Sequence, residues 1–402
     1  MLSSRPHAMS SPALDRLAPA LDLLRANAEA ADRAGDLPAG NIEALRKAGA
    51  FAWSRARSLK GDELLAAEKA AAWEAIGAAD LSTAWIFSNY DSFIWELSFG
   101  SCFDPFPELE RVLLEEEPVC GTVAMVPGSV IDGGVIVVSG RFPFATGSSL
   151  ARWMRSNVVV PGPAPELPPA DPASRSHVRS VMIDLARPEV RTERTWDGMG
   201  LRATQTDTVV VEGLRLPLSY SRLSAYDSIR MDPRLAVPSP YYREPGWAIA
   251  NARIGASLAG AAGAAFEFAH QQTLGRTNLT GAPAARFPAV RACIADAFLE
   301  LVTARALQGG LAAASDERVR TATAWTPGAE AAIWASGAAS AQAVLRAVDQ
   351  LALAVGGTGT SRSLPFERHV RDIRTGAVHL GINPNLVRDR VAAHLFPDFA
   401  KP

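Results

Sequence analysis

The chain has 402 residues, 48% hydrophobic and 20% charged, with 40 Lys+Arg against 42 Asp+Glu and a formal net charge of -2. That is about two to three ordinary domain lengths with ample apolar matter, so disorder is excluded for most of the chain. The balanced charge argues against a nucleic acid or an anionic membrane as partner. Cys102, Cys120 and Cys293 are too few and too scattered for a disulfide framework or a metal knuckle, and they are expected to stay reduced.

Met1–Ala20 carries Arg5, Asp15 and Arg16 but no continuous apolar run, so it does not read as a secretory signal. From Pro12 to Glu116, Ala, Leu and Glu recur at helical spacing. Leu14, Leu17, Leu21 and Leu24 follow steps of three and four, and Asp36–Asn41 punctuates before the next helix. Ser82–Phe99 is apolar nearly all round, which predicts a buried helix.

From Pro118 to Pro217 the texture changes to Gly, Pro, Val and Thr. Short β-branched runs, Val135–Val138, Asn157–Val160, Val178–Asp184 and Thr208–Glu212, predict a small antiparallel β domain. A proline-rich insert, Pro161–Pro172, is expected to loop out between strands. From Pro245 onward the pattern is helical again. Val290, Ile294, Ala297, Leu301 and Ala304 form one stripe suited to a four-helix bundle. Gly309-Gly310 is expected to end that helix and Gly356–Gly359 the next. The most apolar stretches, Trp247–Ala269 and Ala329–Leu345, consist mainly of Ala, Gly and Ser, which suits close helix contact rather than lipid. The expected domains are 1–117, 118–235 and 236–402, in a cytoplasmic globular protein.

Three segments carry chemistry. Gly140-Arg-Phe-Pro-Phe-Ala-Thr-Gly147 offers the Thr146 hydroxyl and neighbouring backbone N–H groups at the end of an aromatic-lined strand, or is a plain strand ending in a turn. Thr195–Thr206 places Trp196 before a run of hydroxyls that a flat ring can use, unless Trp196 only plugs a core. In Pro365–Thr375, Arg371 and Asp372 are adjacent and suit a structural brace, while His379 sits near a helix end. No dinucleotide or P-loop fingerprint, GxSxG, HExxH or CxxC occurs, and His7, His177, His270, His369 and His394 have no partners at metal-ligand spacing. No metal site is expected.

Together these segments, in this order, resemble the acyl-CoA dehydrogenase superfamily. The similarity rests on Gly140–Gly147, Trp196–Thr206 followed by Val209–Pro217, Gly356-Gly-Thr-Gly and Arg371-Asp-Ile-Arg-Thr, and it runs from about Asn27 to Phe396. The implied fold is α+β and mostly α: an N-terminal helical domain, a central β-barrel or sandwich domain and a C-terminal helical bundle. Where the dehydrogenases carry Thr-Glu-Pro…Gly-Ser-Asp, this chain has Gly121–Ser129 without that motif. Where they place a catalytic Glu, it has Leu380, with His379 alongside. The chain is most similar to the two-component flavin-dependent monooxygenases related to 4-hydroxyphenylacetate and dibenzothiophene monooxygenases. It departs from them at Leu150 and Arg152, which stand for a histidine and an aspartate, and in lacking a histidine near Asn89–Phe93.

The resemblance implies a reduced flavin (FMNH2 or FADH2) from a separate flavin reductase, and O2 reacting through a C4a-(hydro)peroxide to oxygenate a small organic substrate. It implies Thr146 at the flavin N5/O4 edge, Trp196 and Thr206 positioning the ring and its phosphate arm, and Phe144, Ala145, Gly147, Gly356, Gly357 and Arg371 as further cofactor-binding residues. His379 is the implied acid/base or oxygen-orienting donor, with Tyr90, Asp91 and Leu380 at the substrate, in a homotetramer. The alternatives are an FAD-dependent dehydrogenase of acyl thioesters with a relocated base, and a flavin-free scaffold of the same fold.

Overall fold

The computed structural model describes residues 12–100, 108–131, 134–161, 176–223, 239–243, 246–277 and 281–397. The N-terminal third is helical: α1 (Pro12–Ala34), α2 (Ala39–Lys47), α3 (Ala66–Ala79), α4 (Leu81–Gly100) and the short α5 (Leu109–Leu114). On α1 the expected stripe buries Leu17 and Leu24 fully and half-buries Leu14 and Leu21. Asp80 starts α4 by accepting the Thr83 N–H (2.9 Å) and hydroxyl (2.6 Å), a side-chain cap. Around α4, Trp53, Trp73 and Phe87 pack with ring centroids 5.2 to 6.0 Å apart. Of the described α4 side chains only Trp85, Asn89 and Ser92 are half-buried, spaced four and three residues apart, so the helix shows a single face to the exterior.

The seven strands β1 (Val119–Ile131), β2 (Val135–Ala145), β3 (Trp153–Pro161), β4 (Ser176–Asp184), β5 (Val190–Glu193), β6 (Asp207–Pro217) and β7 (Ser221–Leu223) form one sheet, ordered β5-β6-β2-β1-β3-β4-β7. The expectation of a purely antiparallel arrangement is corrected. β1 runs parallel to β3 from Val119 to Pro127, then pairs antiparallel with β2 from Gly128 to Ile131. The reason lies in the turn after β2, which carries the chain back so that Trp153 lands beside Val119. Between Gly121 and Met125 the β1 register slips, a bulge in which Thr122 turns its hydroxyl onto the Pro143 carbonyl (2.6 Å). The proline-rich insert lies outside the described residues apart from Pro161, as does Cys102.

Helices α6 (Gly246–Gly275), α7 (Pro288–Thr321) and α8 (Pro327–Gly359) form three long rods, completed by the shorter α9 (Pro365–Gly376) and α10 (Pro384–Leu395). Gly309-Gly310 does not end α7. Both glycines face outward, and buried Gln308, Leu311, Ala312 and Ser315 hold the helix together on its other side. Burial of that stripe outweighs a propensity cost of about 1 kcal/mol per glycine. Gly356 does break α8, with φ 61° and ψ -161°. Among the described residues no helix is long and apolar enough to cross a membrane.

The small-residue face of α6 serves contact with α3. A Cβ on Gly260 would come within 2.0 Å of the Glu74 carbonyl oxygen, and one on Gly77 within 2.2 Å of the Ser257 carbonyl oxygen. Gly260→Ala is therefore expected to push the two helices apart and to cost about 1–3 kcal/mol, read as a lowered denaturant midpoint. Gly309→Ala, whose Cβ meets nothing within 4 Å, is expected to add about 0.5–1 kcal/mol of stability, read as a raised midpoint. Equal responses from the two variants would contradict this packing.

Candidate active site

The end of β2 makes a tight turn. Phe144 adopts a left-handed backbone (φ 57°) that points its ring outward, and Gly147 does the same (φ 71°). Gly147 admits no side chain, because a Cβ there would lie 2.7 Å from Ile86 and 2.8 Å from the Tyr90 hydroxyl. Its carbonyl accepts the Tyr90 O–H (2.6 Å) and its N–H donates to the Thr204 carbonyl (3.0 Å). Burial holds the Tyr90 phenol well above its ordinary pKa, so it stays a donor. Tyr90, expected at the substrate, is thus a buried strut between α4 and the turn.

Thr146 directs its backbone N–H to the Phe144 carbonyl (3.0 Å), which leaves the hydroxyl as its side-chain polar group. That hydroxyl lies 3.2 Å from Thr206 Oγ1, which lies 2.7 Å from Thr204 Oγ1. Thr204 donates to the Leu201 carbonyl (2.8 Å). Trp196 lies against this run, its indole N–H also donating to the Leu201 carbonyl (2.8 Å), while Asp207 holds the Thr195 and Trp196 backbone N–H groups. Trp196 therefore both packs on the core and closes the loop.

Helix α9 grips the outside of that loop. Asp372 accepts the Leu201 N–H at 2.6 Å, and a Cβ on Gly200 would strike the Arg371 carbonyl at 2.2 Å. Arg371 donates to the Met199 carbonyl (3.1 Å) and pairs with Asp32 (2.7 Å) and Glu367 (2.6 Å). The expected Arg371–Asp372 brace is absent from this geometry, since neighbours in a helix do not face each other. Asp372 instead faces Arg368 at 3.8 Å, which also lies 3.5 Å from Asp80. Burial raises the Asp372 carboxyl to about 7, against the pull of Arg368.

Three residues past α9 stands His379. Its Nδ1 accepts the Gly381 N–H (3.2 Å), which puts the imidazole proton on Nε2, and its ring meets Trp85 edge-on with centroids 5.5 Å apart. Burial depresses its pKa to about 4, so at neutral pH it is a neutral N–H donor. Leu380, half-buried beside it, accepts no proton. One turn along α4 from Trp85, Asn89 binds Gly121 of β1 through both its amide groups, at 3.0 and 3.4 Å.

The structure therefore gathers Thr146, Thr206, Gly147 and Trp196 around one turn, with Tyr90 behind it and His379 on the neighbouring helix end. Asp91 is elsewhere: it is fully buried and ion-paired with Arg253 at 2.9 Å. Gly356 and Gly357 lie at the end of α8, where Arg276 donates to the Val355 and Ala354 carbonyls. Thr204 and Trp85 had no assigned role in the sequence. The first hides among other hydroxyls, and the second reads as one more core aromatic.

A flat heterocycle with a polar edge fits this turn. The Thr146 oxygen keeps a lone pair, Phe144 offers an outward ring that is 62% exposed, and Gly147 brings bare backbone beside them. The fold that carries this turn is acyl-CoA dehydrogenase-like. Residues 252–384 match the family model described as acyl-CoA dehydrogenase, C-terminal domain. The relatives include oxygenase components and, at similar identity, acyl-CoA dehydrogenases. The flavin-dependent monooxygenase oxygenase subunit HsaA of Rhodococcus jostii is 26% identical over 383 residues, covering 92% of this chain and 94% of that one. The FADH(2)-dependent resorcinol hydroxylase oxygenase component of a Rhizobium species is 27% identical over 206 residues, 50% of this chain and 46% of that one. The Streptomyces protein XiaF, solved in complex with FADH2 and glycerol, superposes with a TM-score of 0.83 at 19% identity, over 96% of this chain and 95% of that one. The chain thus carries a match to the acyl-CoA dehydrogenase C-terminal domain over residues 252–384 and is similar, over most of its length, to flavin-dependent monooxygenases.

Two outcomes test the geometry around α9. Asp372→Ala is expected to speed amide exchange across 199–206 by an amount equal to about 1–3 kcal/mol of local opening, while Asp372→Asn, which keeps an acceptor, stays near wild type. Exchange raised uniformly over the molecule would contradict the assigned contact. His369, buried beside Arg368, has its pKa lowered to about 3 by burial and by that charge. Below pH 6.5 the unfolded chain takes up this proton while the folded one does not, so folding weakens as pH falls toward 3. Relative to His369→Leu, the wild type should lose about 2 kcal/mol of stability between pH 7 and 5, measured by denaturant titration at each pH.

Proposed function

We propose that this chain is the oxygenase component of a two-component flavin-dependent monooxygenase, taking reduced FMN or FAD from a separate flavin reductase and using O2 to oxygenate a small organic substrate. The observation that carries this reading is His379: a neutral imidazole against Trp85, with Leu380 beside it where a proton-abstracting dehydrogenase needs a carboxylate. When bound, the flavin supplies the electrons that activate O2.

The chain's own residues do the rest. Thr146 presents its hydroxyl oxygen to the polar edge of the ring, Phe144 and Trp196 flank it, and Tyr90 and Thr206 keep the turn in place. His379 holds a proton on Nε2 and directs it at the oxygen being transferred or at a substrate oxygen, a role typically worth 10²–10⁴-fold in rate. The half-buried face of α4, Trp85, Asn89 and Ser92, forms the substrate side, and enclosure there excludes water. Arg371 acts as a strut of the cofactor loop. Outward-facing Leu299 and Val302 on α7 and Leu353 on α8 suit burial between copies in a homotetramer. Free thiols at Cys120 and Cys293 suit a reducing cytoplasm.

The test is anaerobic titration of the protein with reduced FMN and reduced FAD, followed by rapid mixing with O2. Tight binding of a reduced flavin and a long-lived absorbance change after mixing are expected. Tight binding of oxidised FAD, reduced by an acyl thioester without a reductase, would establish a dehydrogenase instead. His379→Ala should retain reduced-flavin binding and lower product formation about 10²-fold, and full coupling in that variant would remove His379 from the mechanism.

A further inference from the structure

The threonine run behind the cofactor turn has a fixed direction. Each hydroxyl owns one proton. Thr204 donates its proton to the Leu201 carbonyl at 2.8 Å, because a carbonyl only accepts. The 2.7 Å contact between Thr204 and Thr206 must then be a donation from Thr206. With that proton committed, the 3.2 Å contact between Thr206 and Thr146 is a donation from Thr146. The Leu201 carbonyl also accepts the Trp196 indole N–H (2.8 Å) and the Thr204 backbone N–H (3.1 Å), and it cannot be turned away, since Asp372 holds the same residue by its N–H. All three threonines are buried, with Thr204 completely enclosed, so water does not reset the order.

From this we infer that Thr204 sets the redox preference of the site: the directed run Thr146 → Thr206 → Thr204 → Leu201 leaves the Thr146 oxygen an acceptor only, which favours a reduced flavin over an oxidised one. This rests on the reading that Thr146 faces the flavin N5 edge. Reduced flavin carries a proton on N5 and donates it to such an acceptor. Oxidised flavin has a bare lone pair there and meets the Thr146 lone pair without a proton between them. Thr204 touches neither cofactor nor substrate, so it is a positioning residue.

The experiment is equilibrium binding of oxidised and, anaerobically, reduced FMN and FAD to wild type, Thr204→Val, Thr204→Ser and Thr206→Val, with thermal unfolding confirming folded protein. The wild type is expected to favour the reduced form. Thr204→Val removes both the donation to Leu201 and the acceptor for Thr206, freeing Thr206 to donate toward Thr146 and the Thr146 proton to face the ring. The oxidised-to-reduced ratio of dissociation constants should fall about three- to tenfold. A tenfold fall equals about 30 mV in the two-electron potential of the bound flavin. Thr206→Val should behave alike, and Thr204→Ser should keep the wild-type ratio. Equal affinity of the wild type for both forms, or an unchanged ratio in both valine variants, overturns the inference and leaves the oxygenase reading standing. Failure of the wild type to bind either form overturns that reading, and the inference with it.

Discussion

The turn at the end of β2 depends on one peptide unit, Leu201. Its backbone is left-handed (φ 52°), a conformation that a branched-chain residue adopts only under constraint. The constraint is present on both sides: Asp372 takes its N–H, while its carbonyl takes Trp196 and Thr204. Gly200 lets the α9 backbone come close enough for this, since any side chain there would occupy the space of the Arg371 carbonyl. The strain at Leu201 is thus held by groups that also define the site, and the site's order follows from the helix outside it.

A second constraint acts on α4. Three acidic side chains on or just before this helix each find an arginine on a different element: Asp80 with Arg368 of α9, Asp91 with Arg253 of α6, and Glu96 with Arg155 of β3. Each pair is nearly or fully buried. Such pairs contribute little net stability, because desolvation offsets their attraction, but losing one partner strands a charge at a cost of about 3–5 kcal/mol. They act here as registration marks. An all-round apolar helix slides and rotates easily, whereas one with three charges matched to three neighbours has a single seat. Arg253 also donates to Ser92, which ties the ion pair to the half-buried face of the helix.

Much of this was legible in the residues. The apolar run Ser82–Phe99 became α4, the α1 stripe was buried in part as its spacing required, and four β-branched runs became strands. What escaped notice did so for physical reasons. β1 contains Gly121, Pro127 and Gly128, residues that weaken a strand signal, and its pairing with two neighbours of opposite sense is a tertiary fact. β5 and β7 are four and three residues long, too short for alternation to register. Gly309-Gly310 looked like a stop because propensity is local, while the buried stripe that overrides it is not. In the site, resemblance brought Thr146, Trp196 and His379 into view, but Asp91 and Arg371 became partners of other chain segments. Thr204 was invisible because its importance lies in the direction of a proton, which no spacing encodes.

The reach of these contacts along the chain has a consequence for synthesis. Asp372 and Leu201 are 171 positions apart, and Arg371 and Asp32 are 339 apart. A nascent chain emerges N-terminus first, so the strands and the threonine run are made long before the helix that orders them. Until α9 leaves the ribosome, the turn at the end of β2 has its residues but not its shape. A truncated or unfinished product that stops short of Pro365 therefore lacks the order of this turn, and about the last tenth of the polypeptide acts as a check on completeness.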